Sequence, residues 1–261
     1  MKLTGFIGVA LALMVSGCVT TTDSRFAREA DRDKALENYV KLATAYIGQG
    51  NLDRAEHHLD RALEIDGNYA PALAAEGLVY SSDGEQELAE RSFRKALSED
   101  SGYTRGRTYY GAFLYSQRRF EEARDQFSMA SRDTEYEDRG SVFFNLGMTE
   151  ERLGNLQEAE DAFRRAVELT RGEPRSLLSL SRVLVEQRDY SGASRYYSRL
   201  QRVISGSTRH SHSPESLLIG VKIARHFGDQ DQEASMAMML KNEFPESVEY
   251  QQYKVLIANE R

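Results

Sequence analysis

Tryptophan is absent from this 261-residue chain, cysteine occurs once and proline four times. A single cysteine excludes a disulfide framework and any cysteine-rich metal site. So few prolines, beside 19 glycines, exclude a fibrous or linker-rich chain. Basic residues are outnumbered, 34 Lys and Arg against 41 Asp and Glu, for a net charge of −7. That balance argues against a dedicated nucleic-acid binder, which shows a basic excess. A mean hydropathy of −0.58 excludes a multi-span membrane protein. Catalytic signatures are also missing: HExxH, GxSxG, the P-loop and the dinucleotide fingerprint do not occur. His57 and His58 are neighbours on a helix and point different ways, so they make poor joint ligands. His210 and His212 could share a metal only with further ligands. Carboxylate runs such as Glu121-Glu122 and Glu150-Glu151 read as solvated helix faces. The expectation is a protein without catalytic residues, cofactor, metal site, small-molecule substrate or nucleic-acid partner.

What is present begins with a leader. Lys2 precedes an apolar run from Leu3 to Val15, too short to span a bilayer, which takes ~20 residues. This is the shape of a signal peptide. The run ends in Val15-Ser16-Gly17-Cys18, and small residues before a lone cysteine resemble the bacterial lipobox. The resemblance implies cleavage after residue 17 and lipidation of Cys18 by diacylglycerol and an N-acyl chain. Residue 19 is Val rather than the Asp that marks inner-membrane retention, so the resemblance favours the periplasmic face of the outer membrane. Residues 19–33 are polar and poor in apolar side chains, and are expected to form a flexible tether spanning about 20 Å.

From residue 34 the chain repeats. Alanines recur inside polar helical segments at Ala55, Ala89, Ala123, Ala159, Ala193 and Ala234, at spacings of 34, 34, 36, 34 and 41. A large side chain follows each by four residues: Leu59, Phe93, Phe127, Phe163, Tyr197 and Met238. A small one follows by seven in the first four: Ala62, Ala96, Ala130 and Ala166. Glycines mark helices at Gly77, Gly111 and Gly147, and turns at Gly50, Gly84 and Gly154. A period of 34 with these positions resembles the tetratricopeptide repeat. The fold expected is all-α, a superhelix of about six helix-turn-helix repeats near 36–69, 70–103, 104–137, 140–173, 174–207 and 215–248, capped by 249–261. Small residues are needed where paired helices cross at ~8–10 Å, and neighbouring repeats complete each other's core. Residues 205–214, rich in Ser, Gly and His, are expected to be an exposed loop.

The resemblance to that repeat implies a concave face lined by the first helix of each pair. The residues it places there are partly apolar: Val40, Thr44, Ile47, Ala74, Leu78, Tyr115, Phe144 and Met148 form the candidate partner-binding groove. Apolar side chains on a nominally open face suit an extended or amphipathic peptide. Val40 and Thr44 stand where chaperone-type clamps carry Lys and Asn, which argues against capture of an acidic C-terminal tail. A lipobox, a short tether and six such repeats in this length resemble the PilF/PilW family of type IV pilus biogenesis lipoproteins. The resemblance implies a pilotin that binds the pilus secretin and promotes its outer-membrane localisation and multimerisation. The other reading left open is a periplasmic scaffold for outer-membrane barrel assembly or peptidoglycan enzymes.

Overall fold

The computed structural model describes residues 25–206 and 211–258. Cys18, the apolar run before it and His210 lie outside those residues. The described chain is helical throughout, with no strand. Its helices pair in order: α1 (Arg25–Gly48) with α2 (Leu52–Ile65), α3 (Ala70–Asp83) with α4 (Gln86–Glu99), α5 (Thr104–Ser116) with α6 (Phe120–Ala130). The series continues with α7 (Arg139–Leu153) and α8 (Leu156–Leu169), α9 (Pro174–Glu186) and α10 (Tyr190–Ser205), α11 (Pro214–Phe227) and α12 (Gln230–Glu243), and α13 (Val248–Ala258) closes it. Successive first helices touch along α1, α3 and α5 and again between α9 and α11, and the contact loosens around α7. Second helices do not pack on one another among the described residues. The array therefore curves with its first helices inside.

The second, third and fourth pairs are locked by an aromatic ring over a missing side chain. A Cβ on Gly77, Gly111 or Gly147 would lie within 2.8 Å of the Phe93, Phe127 or Phe163 ring. Those three rings are at most 1% exposed, and Ala89, Ala123 and Ala159 one turn before them are fully buried, as is Ala55 before Leu59 in the first pair. In the fifth pair Ser181 replaces the glycine; its hydroxyl is buried and donates to the Leu177 carbonyl at 2.7 Å.

Three expectations are corrected. The tether does not extend to residue 33, because α1 begins at Arg25. A polar stretch becomes helical at little cost when it extends a helix already nucleated, and Arg32 docks it by donating to the Asp66 carboxylate at 2.9 Å. The register of the sixth pair is one residue earlier than the alanine spacing implies. Ala234 is exposed and Met238 is 62% exposed, while Met236, Ala237 and Leu240 are buried. Asp229 caps α12 as Asp189 caps α10, so Glu233 stands where Ala193 does. Glu233 tolerates that place by accepting from Arg225 at 2.9 Å. Finally, residues 211–214 are not all exposed: His212 is half-buried, shares a hydrogen bond with the Ser216 hydroxyl at 2.8 Å, and burial holds its imidazole pKa below the usual value.

Candidate functional site

The inner face brings the sequence-selected residues into two clefts. The larger, about 600 Å³, lies across α1, α3 and α5 and is lined by Val40, Thr44, Pro71, Tyr103, Arg105 and Tyr136 among others. Val40 and Thr44 sit one turn apart on α1. The Thr44 hydroxyl donates to the carbonyls of Val40 and Lys41, both at 3.0 Å, so it is spent on its own helix. Tyrosines complete the wall from the repeat-closing turns, Tyr69 before α3, Tyr103 before α5 and Tyr136 before α7. Burial holds the Tyr69, Tyr103 and Tyr109 phenols above their ordinary pKa, so they stay neutral across the physiological range. Glu37, Lys41, Asp100, Arg105 and Asp133 bring both signs of charge to its border.

The smaller cleft, about 190 Å³, opens between α5 and α7, where the contact between inner helices loosens. The chain there is two residues longer than in the other early repeats, through the turn at 133–138. Ala112, Tyr115, Phe127, Phe144, Asn145 and Met148 line it, almost all apolar. Arginines hold its aromatic walls: Arg152 Nε donates to the Tyr115 hydroxyl at 3.1 Å, and the Arg175 guanidinium lies 4.6 Å over the Phe144 ring. Such a cleft offers pre-set rings and cation edges to an apolar side chain.

Beyond this cleft part of the inner face is filled. Val185, Ile219 and Ile223 are buried in the core rather than presented to a groove. Arg182 donates to Glu151 at 2.6 Å and pairs with Glu215 at 3.2 Å, bridging α7, α9 and α11. Burial raises the Glu151 pKa against the opposing pull of Arg182.

Of the eight groove candidates, five line a cleft: Val40, Thr44, Tyr115, Phe144 and Met148. Ile47 and Leu78 are half-buried and pack on core clusters. Ala74 is fully buried, so its selection as a contact is corrected: its methyl packs inward with Leu73 and Ala96, where the helices cross. Tyr69, Tyr103 and Tyr136 were missed because they precede their helices and fall outside the helical register. Their signal is a tyrosine shortly before the second, third and fourth repeats. Among the described residues no group of three or more His, Cys, Asp or Glu could hold a metal ion, and no helix is long and apolar enough to cross a membrane.

Comparison with known proteins bears on what this groove serves. The tetratricopeptide-repeat family matches residues 36–69, 70–103 and 104–172. The type IV pilus assembly protein PilF of Pseudomonas aeruginosa is 36% identical over 245 residues, covering 94% of this chain and 95% of that one. A solved structure of P. aeruginosa PilF superposes with a TM-score of 0.78, covering 86% of this chain and 99% of that chain at 36% identity. The structure of PilW, described as a widely conserved type IV pilus biogenesis factor, matches with a TM-score of 0.69 at 23% identity, covering 84% and 97%.

Proposed function

The chain belongs to the PilF/PilW family of tetratricopeptide-repeat proteins of type IV pilus biogenesis, and from that membership we propose that it acts as a pilotin, a lipid-anchored carrier and assembly factor for the pilus secretin. The likeness to PilF over 94% of this chain and 95% of that one carries the reading. The open clefts support binding rather than catalysis: they offer aromatic and apolar walls with mixed charge at the rim, which suits an extended peptide. In this reading the secretin segment lies along α1, α3, α5 and α7, with apolar side chains against Val40 and Thr44 and in the cleft of Tyr115, Phe144 and Met148. Lipidation at Cys18 holds that groove at the inner leaflet of the outer membrane. Tethering raises the effective concentration of bound subunits, so they meet more often than free ones.

The test is the state of the secretin in cells lacking the protein. Membranes are fractionated and run on unheated denaturing gels. Loss of the multimer, with monomer left in the inner membrane, is the outcome expected. Restoration by the wild type, assembly at the wrong membrane with Cys18→Ala, and failure with Thr44→Arg would separate anchoring from capture. Normal multimers at the outer membrane in the deletion would overturn the pilotin role and favour a scaffold for barrel assembly or cell-wall enzymes.

A further inference from the structure

The turn between α8 and α9 differs in charge from the turns after α2 and α4, and the difference gathers arginines. After α2 and α4 the helix is followed by an aspartate, Asp66 or Asp100, whose carboxylate accepts the backbone N–H two residues on, at 3.0 and 2.8 Å. Asp66 also accepts from Arg32 at 2.9 Å. The corresponding place after α8 is Thr170, and Arg171 follows it in the left-handed region at φ 57°. So the turn carries a cation where the earlier turns carry an acid.

A second neutralising group is missing one helix later. Arg61 on α2 and Arg165 on α8 each pair with a glutamate three residues on, Glu64 and Glu168, at 2.6 and 2.8 Å. Their counterpart on α10 is Arg199, and three residues on stands Arg202. Arg199 lies back over the turn, its Nη2 3.1 Å from where a Cβ on Gly172 would sit. The three guanidinium-bearing side chains line one cavity of about 280 Å³ with Gly172, Leu177 and Val203.

None of the three has a carboxylate partner among the described residues. Arg202 Nε donates only to the Ser198 carbonyl at 3.3 Å, and Arg199 lies 5.8 Å over the Tyr196 ring. The carboxylates flanking the turn, Glu168 and Glu173, are held by Arg165 and Arg175. Three converging cations repel one another unless an anion joins them. Guanidinium groups present planar forks of donors that match oxyanions, and three forks suit a tetrahedral group with several oxygens better than a two-oxygen carboxylate.

We propose that this cavity binds a phosphoryl oxyanion, carried by an anionic phospholipid headgroup or by a free phosphate. It lies against α10, in the outer layer, and does not rest on the pilotin reading. The full chain carrying Cys18→Ser, so that no acyl chain contributes, is titrated with inorganic phosphate. It is also sedimented with vesicles of phosphatidylglycerol in phosphatidylcholine, against pure phosphatidylcholine. Saturable binding to at least one probe is expected. Arg202→Glu, which restores the pairing seen on α2 and α8, should weaken it about tenfold or more with helicity and melting unchanged. Should that variant misfold, Arg199→Gln is read in its place with the same expectation. Phosphate binding alone identifies a free phosphate as the source, and vesicle binding identifies the headgroup. Binding of both probes by the wild type no better than by the folded variant would overturn the proposal. Thr44→Arg should leave this binding intact, which keeps it distinct from the groove.

Discussion

Single residues set the local geometry of this array, and their roles differ between repeats that look alike. The turn inside each pair needs one residue with positive φ. Glycine fills it at Gly50, Gly84, Gly154 and Gly228, but Arg118 and Arg188 fill it at φ 60° and 64°. A side chain in that region costs ~1–2 kcal/mol, partly offset by the smaller entropy lost than for glycine. Arg118→Gly should therefore stabilise the protein by about 0.5–1 kcal/mol, read as a higher urea midpoint at constant slope. The opposite holds where glycine makes room for a ring. A Cβ on Gly111 would fall 2.8 Å from the Phe127 ring, so Gly111→Ala should lower stability by about 1–3 kcal/mol despite its better helix propensity. A neutral or stabilising result in thermal denaturation would contradict this account of the crossing.

Between elements, one polar network joins α4 to the next pair. Arg119 donates two hydrogen bonds to Glu90, at 2.7 and 2.9 Å, and two to Glu122; Tyr110 donates to Glu90 at 3.0 Å. The Arg119 guanidinium is the main reason the Glu90 carboxyl is held at about 2, with the Tyr110 hydroxyl helping and burial opposing. A carboxylate held below its unfolded value near ~4.3 favours the folded state only while ionised. Its contribution is complete above that value and is lost as pH falls toward about 2. Glu90 is 24% exposed and Arg119 31%, so solvent screening reduces the contribution to about 1–2 kcal/mol. Glu90→Gln should cost that much at pH 7 and make stability less steep between pH 5 and 2, as measured by denaturant midpoints along a pH series. An unchanged pH slope would show that the network does not hold this interface. The register of α12 is also decided between elements. The segment from Glu233 to Leu240 carries small or apolar residues at several phases, and a preceding loop of unusual length removes the count that would choose among them. Packing against α11 and the Arg225–Glu233 ion pair makes the choice.

At the scale of the whole molecule, stability is distributed along the array, and the proposed binding groove sits where it is most open. Each repeat contacts chiefly its neighbours, so ends and gaps are the weak points. Helix α13 has no buried residue, and Val248 and Val255 on it are 67% and 60% exposed. Its amides should exchange faster than those of α8 to α10, which carry most of the largest core cluster, in native-state hydrogen exchange. The groove lies toward the other end, in repeats one to four. Thr44→Arg places a long cation on the wall of the larger cleft without touching a core cluster, and should weaken partner binding about tenfold or more with native helicity. Unchanged affinity in a pull-down with the proposed partner, the secretin, would contradict the assignment of the contact to this cleft.

Periodicity by itself determined the fold class, the pairing of helices and the rings that close the second, third and fourth pairs, because those repeats obey the same local rule. The resemblance to the tetratricopeptide repeat implied an inner face with Val40, Thr44, Tyr115, Phe144 and Met148 on it, and these five do line a cleft. Tertiary structure decided the rest. It buried Ala74, whose methyl packs with Leu73 and Ala96, and it packed Val185, Ile219 and Ile223 of later first helices into the core. It added Tyr69, Tyr103 and Tyr136 from the turns, which have no helical phase to betray them. It also brought Arg171 on a turn beside Arg199 and Arg202 on a later helix, a convergence that depends on how one repeat stacks on the next.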